Sequence, residues 1–258
     1  MNQKLLLYML VAFIGLTLVN ALPSGPSSLT VSGSQRWPTW GPMTIGAEAG
    51  NVSELAISGS SITRTWQGYY GNVSGLITLG DSLNNTLYDW SVAHPQGEIY
   101  AVRQATVPTW TAVRCASQAE LQAEDLALNA NESVDQDTVN LTFVVGGAPD
   151  QLARFPTSDF THPLFYVANQ TIDANSCAVA TMYNSSYMPS PNYKEVILSD
   201  GGSVPIIYTG LISYSINPFS SSDGFDQKDH DFEMIVGEDG HGTDIAVSTY
   251  WFYVELGG

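Results

Sequence analysis

The chain has 258 residues, enough to bury a hydrophobic core without help from metals or many disulfides. Its 25 Asp and Glu face only 8 Lys and Arg, a formal net charge of -17, and the basic residues are scattered singly, which excludes the basic stripe a nucleic-acid binder needs. Charged residues total 13%, about half the usual quarter, so uncharged polar side chains do the solubilising.

The N-terminus, M-N-Q-K followed by the apolar run Leu5 to Val19, has the charge and length of a secretory signal and is too short for an ordinary membrane-spanning helix. Val19-Asn20-Ala21 offers small residues to a signal peptidase, which predicts a signal peptide over residues 1–21, cleavage after Ala21 and a secreted or cell-surface protein. Two alternatives stay open. One is an uncleaved anchor running on through Leu22. The other is processing after Lys4, which would leave the apolar segment on a β-rich head as in a pilus-type filament subunit, although Pro23 limits that helix.

Residues 22–50 are a strap rich in Pro, Gly and Ser, with a strand candidate at Leu29 to Val31 and the motif R-W-P-T-W-G-P. Trp37 and Trp40 within it are either a stacking platform for sugar rings or ties between the strap and the core. From residue 51 to 258 short apolar runs alternate with Gly, Asn and Pro punctuation, the pattern of a mainly β, antiparallel β-sandwich domain. Strands are expected at Glu54 to Ser58, Ser61 to Trp66, Gly75 to Leu79, Leu87 to Ala93 and Glu98 to Arg103. The stretch Ile62 to Arg103 reverses near Asn84-Asn85 and again near His94-Pro95-Gln96-Gly97, which predicts a β-meander. Alternation puts Thr86, Tyr88, Trp90 and Val92 on one face, so this sheet is expected to form core.

One short helix is expected near 117–129, where Ser117 and Glu120 make a capping box and Leu121, Leu126 and Leu128 supply apolar surface. The remaining strand candidates are Val139 to Val145, Leu164 to Ala168, Ser176 to Tyr183, Glu195 to Leu198, Val204 to Tyr214, Phe232 to Val236 and Ser248 to Leu256. Asp200-Gly201-Gly202 reads as a hairpin turn. The closing strand, T-Y-W-F-Y-V-E-L, has no polar face and is expected to be a central, covered strand.

Cys115 and Cys177 are too few for a metal site and suit one disulfide in an oxidising compartment. Sequons for N-glycosylation begin at Asn51, Asn72, Asn84, Asn131, Asn140, Asn169 and Asn184, where chance would give about three.

The blocks W-Q-G-Y-Y-G-N-V-S-G (Trp66 to Gly75), L-Y-D-W with G-E-I-Y-A (Leu87 to Ala101) and G-F-D through D-F-E-M-I-V to F-Y-V-E-L (Gly224 to Leu256) resemble a group of uncharacterised archaeal cell-surface proteins. The resemblance implies an archaeal envelope setting and implies no catalytic residues.

Chemistry is sparse. The acidic stretch around Asp223, Asp226 and Asp229 holds oxygen ligands for calcium, yet it lacks EF-hand spacing and alternates like a strand with a solvent face. The loop with Glu238, Asp239, His241 and Asp244 could offer ligands to zinc, or simply join two strands. No cofactor is expected beyond that calcium candidate. Neither a nucleophile elbow, a P-loop nor H-E-x-x-H occurs, so catalysis is not expected. The resulting expectation is a non-catalytic secreted or cell-surface glycoprotein, structural or adhesive, whose partners are other cell-surface proteins, glycans or further copies of itself. A carbohydrate-binding module using Trp37, Trp40, Trp66, Tyr69 and Tyr70 is the alternative.

Overall fold

A computed structural model describes residues 22–38, 41–91, 97–130, 135–145, 160–212, 224–239 and 247–256. Residues 1–21, where a signal peptide is expected, Trp40, His94, Asn131, Asp223, His241 and Asp244 lie outside them. The expected class holds: the fold is mainly β and antiparallel.

Strand β4 (Gly97–Val102) and strand β11 (Ile206–Ile212) explain the architecture. Every residue of β11 and all but the first of β4 are buried. Near-continuous apolar runs such as I-I-Y-T-G-L-I have no solvent face to offer and must be covered on both sides. These two strands pair in the middle of a seven-stranded sheet. It runs β13 (Trp251–Leu256), β4, β11, β10 (Pro189–Ser199), β9 (Ala178–Tyr183) and β6 (Val144–Val145), with β5 (Arg114–Cys115) added to β10. The Asp200-Gly201-Gly202 turn joins β10 to β11 as expected, with Gly201 in the left-handed region at φ 72°.

Alternation along the sheet makes two cores. Ile99, Ala101, Ile197, Ile206, Tyr208 and Ala178 face one way. They pack against β1 (Trp66–Gly71) paired with β12 (Phe232–Gly237), and against two helices, α1 (Gln118–Ala127) and α2 (Val139–Thr142). Tyr100, Val102, Val196, Leu198 and Ile207 face the other way, under Trp110, Val113 and the hairpin of β7 (Phe165–Val167) and β8 (Gln170–Ile172). A sheet thus has a second layer on each face.

Helix α1 begins as its sequence dictates. Ser117 accepts from the Glu120 amide, and the Glu120 carboxylate accepts from the Ser117 amide at 2.8 Å, closing the capping box. Asn129, just beyond the C-cap, takes the left-handed conformation that ends helices. Asp125 then caps the next helix, accepting from the amides of Val139 at 2.5 Å and Asn140 at 3.1 Å. This cap, with Thr138 as N-cap, turns Val139–Thr142 into one helical turn where a strand was expected. Only Val144–Val145 of that run is strand.

The disulfide is present: Cys115 on β5 bonds to Cys177, with Cα atoms 4.9 Å apart. It closes a loop 62 residues long, worth about 4 kcal/mol on a chain-entropy basis.

Three expectations are corrected. The meander does not form. Among the described residues β2 (Leu76–Gly80) and β3 (Thr86–Ser91) pair only with each other, β1 pairs with β12, and β4 joins the main sheet. Asn84 does take positive φ in the β2–β3 turn, yet the aromatic face of that hairpin is open, with Tyr88 58% and Trp90 50% exposed. The strands expected at Leu29 to Val31, Glu54 to Ser58 and from Ser61 up to Trp66 do not form, and every described residue from 27 to 61 is exposed. Finally, β13 is an edge strand, not a central one. Its faces are partly covered, but Trp251 is 38% exposed and among the described residues β4 is its only strand neighbour.

Candidate functional site

The most unusual chemistry lies where β4 meets β13. Glu98 and Glu255 are register partners on these strands, and both are buried. The Tyr100 hydroxyl donates to Glu255 Oε2 at 3.0 Å and lies 3.4 Å from Glu98 Oε2, so one phenol bridges two carboxyls. Glu255 also accepts from the Ala168 amide through both oxygens, at 3.0 and 3.1 Å. Ala168 stands at φ 52° in the β7–β8 turn, a conformation costly for a residue with a Cβ, and this bond helps hold it there. Trp110 closes the cluster, its ring 5.0 Å from Tyr100 and 5.3 Å from Tyr253. Gly97 is required at the head of β4, because at φ 129° any Cβ would strike the Glu255 carbonyl.

Desolvation, and next the charge of Glu255, pushes the Glu98 carboxyl up to about 8. Burial also raises Glu255, and burial with both carboxyls raises Tyr100 far above the usual phenol range. Near neutral pH the Glu98 carboxyl thus holds its proton. With 7% and 4% exposure, Glu98 and Glu255 offer no open face to a substrate, so their chemistry is internal. The sequence signal for the pair was an acid within an otherwise apolar strand, G-E-I-Y-A-V and W-F-Y-V-E-L.

Other acids are equally committed to structure. Glu124 is gripped by Arg103 through two bonds of 2.8 and 2.6 Å and accepts from the Tyr208 hydroxyl. Glu120 is held well below the usual carboxylate range, first by Arg114 and then by Ser199 and Ser117. Glu195, fully buried, accepts from the Ile235 amide at 2.8 Å, and its other oxygen has no partner among the described residues. Burial raises its carboxyl strongly.

In the calcium candidate, Asp226 accepts from His230 Nε2 at 2.8 Å and lies 3.3 Å from the Lys228 ammonium. Asp231 accepts from the Val73 amide, and Asp229 is exposed. Among the described residues no group of three or more His, Cys, Asp or Glu side chains is gathered for a metal. Glu238 and Asp239 are half-buried, the latter accepting from Asn129.

The five aromatic candidates separate. Trp66 is core: it packs on Phe143 and Tyr208 and donates to the Asp137 carbonyl. Tyr69 packs edge-on to Phe252 at 5.3 Å. Tyr70 alternates outward and clusters with the exposed Phe225 at 4.8 Å and the half-buried His230 at 4.7 Å. Trp37 is exposed on the strap. Phe225 and His230 were not legible as its neighbours, because the β1–β12 pairing that joins them spans most of the chain.

Of the sequons, Asn51, Asn72, Asn84 and Asn169 are exposed and Asn184 is half-buried. Asn140 is corrected: it is 6% exposed in α2, where a glycan has no room. Among the described residues no helix is long and apolar enough to cross a membrane. Compared with family models, curated proteins and solved structures, the chain finds no match.

Proposed function

We propose that this chain is a non-catalytic secreted or cell-surface glycoprotein with a structural or adhesive role in an envelope, in the archaeal setting the sequence resemblance implies. The observation that supports it most is the placement of its sequons. Asn84 and Asn169 sit in hairpin turns and Asn51 just after the strap, each open to solvent, on a body with a disulfide. The burial of Glu98 and Glu255 and the pairing of Glu120 and Glu124 leave these acids to hold the fold instead of meeting a substrate. Carbohydrate binding is the second reading, favoured by the exposed Tyr70 and Phe225 rings.

The test is fractionation of the native source, with N-terminal sequencing and glycopeptide mapping of the purified chain. Envelope or medium location, a new N-terminus at Leu22 and glycans on Asn84 or Asn169 are expected. An unprocessed, unglycosylated chain inside the cell would overturn the reading.

A further inference from the structure

Two features of the molecule fit each other although one copy leaves them apart. The first is the open side of β13. Val254 exchanges both backbone hydrogen bonds with Ser24, at 2.9 and 3.0 Å, and this bridge is isolated. Because backbone direction alternates along an antiparallel strand, the N–H and C=O of Phe252 and Leu256 point to the same side as those of Val254. There they meet no backbone partner among the described residues. The chain's own strap cannot extend the ladder over Phe252, since the residue two beyond Ser24 is Pro26, which has no N–H.

The second feature is a segment with the composition of a strand and no ladder. Residues 52–58, V-S-E-L-A-I-S, contain no Pro or Gly and match the length of the six-residue β13. Val52, Leu55 and Ile57 are all exposed. Leu55 and Ile57 share one face of an extended chain. Beside β13 that face continues the row of Phe252, Val254 and Leu256, which already packs on the core. The segment leaves its own body at Thr63, which like Trp66 is anchored to Asp137, and among the described residues it forms no ladder with its own edge.

We infer that residues 52–58 of a second copy add to β13 as a strand, displacing or flanking the single Ser24 rung. Each copy carries one donor segment and one acceptor edge, so the contact is head-to-tail and repeats into a chain of copies. This deepens the envelope reading and rests on it, naming the partner as the protein itself.

The experiment follows the purified full chain by sedimentation across a wide concentration range, with amide hydrogen exchange in parallel. Concentration-dependent association is expected, with slowed exchange at the Phe252 amide. The variant V52D/L55D/I57D should keep its melting temperature and weaken association by at least about tenfold. Three outcomes would overturn the inference: a wild-type chain that stays monomeric, association untouched by the triple variant, or association without protection at Phe252. A triple variant that fails to fold would overturn it too, by showing the segment already packed within its own copy. A glycosylated surface protein that stays monomeric would sink this inference alone, and an unglycosylated intracellular chain that still associates through β13 would sink the envelope reading alone.

Discussion

The β2–β3 hairpin and the β4–β13 pair invert what their residues suggest. The hairpin carries Ile77, Leu79, Leu87, Tyr88 and Trp90, and every one of them is exposed. The β4–β13 pair carries Glu98 and Glu255, and both are buried. Neighbours account for the difference. Strand β4 is paired on both sides and covered on both faces, so whatever its alternation points inward is enclosed, acids included. Strands β2 and β3 have only each other, and a lone two-stranded ribbon has nothing to bury against. The enclosed acids are tolerated because Tyr100 and the Ala168 amide supply hydrogen bonds and because Glu98 keeps its proton.

The sharpest way to test this contrast is at its centre. Tyr100→Ala removes a fully buried ring and the phenol the two carboxyls share, and it should cost about 3 to 5 kcal/mol in urea unfolding. A loss near zero would mean that the cluster is open to water.

Next in size is a dependence on pH. In the folded chain the Glu98 carboxyl loses its proton only near 8, whereas in the unfolded chain it does so at about 4.3. The folded state therefore binds the extra proton between these values. Stability from this group is complete in acid and is lost as pH rises through that window, at up to about 1.4 kcal/mol per pH unit. Glu255 and Glu195, also raised by burial, act in the same direction. His162 acts in the opposite one. Its Nε2 accepts from the Cys177 amide at 3.1 Å and burial lowers its pKa, so its contribution is lost as pH falls below the usual imidazole range. The fall should thus be clearest above about pH 6.5. Denaturation midpoints measured against pH should decline there in the wild type and flatten in Glu98→Gln. A midpoint that climbs toward pH 8 would contradict the buried-acid account.

The smallest effect belongs to the hairpin. Trp90→Ala should change stability by no more than about 0.5 kcal/mol, since half of the ring already faces water. A cost comparable to that of Tyr100→Ala would break the comparison, showing that the hairpin packs on something within one chain.

Interactions that act within a few residues were legible in the amino-acid order. The Ser117–Glu120 capping box placed α1, Asn84 and the Asp200-Gly201-Gly202 turn marked hairpins, and a chain with just two cysteines predicted their bond. Period-two alternation and short apolar runs located most strands from β2 onward, β11 among them. Partnership was another matter. That β1 pairs with β12, that β13 ends the sheet, and that Glu98 stands beside Glu255 depend on contacts between segments far apart in the chain, 161 positions for Gly71↔Phe232 and 171 for Trp66↔Gly237. The segment after the strap shows the same limit from the other side: Glu54 to Ser58 has the composition of a strand, yet a strand exists only where another lends its N–H and C=O groups. Propensity is local and can be read along the chain, whereas backbone hydrogen bonding and enclosure belong to pairs of distant segments and are settled only when the tertiary structure brings them together.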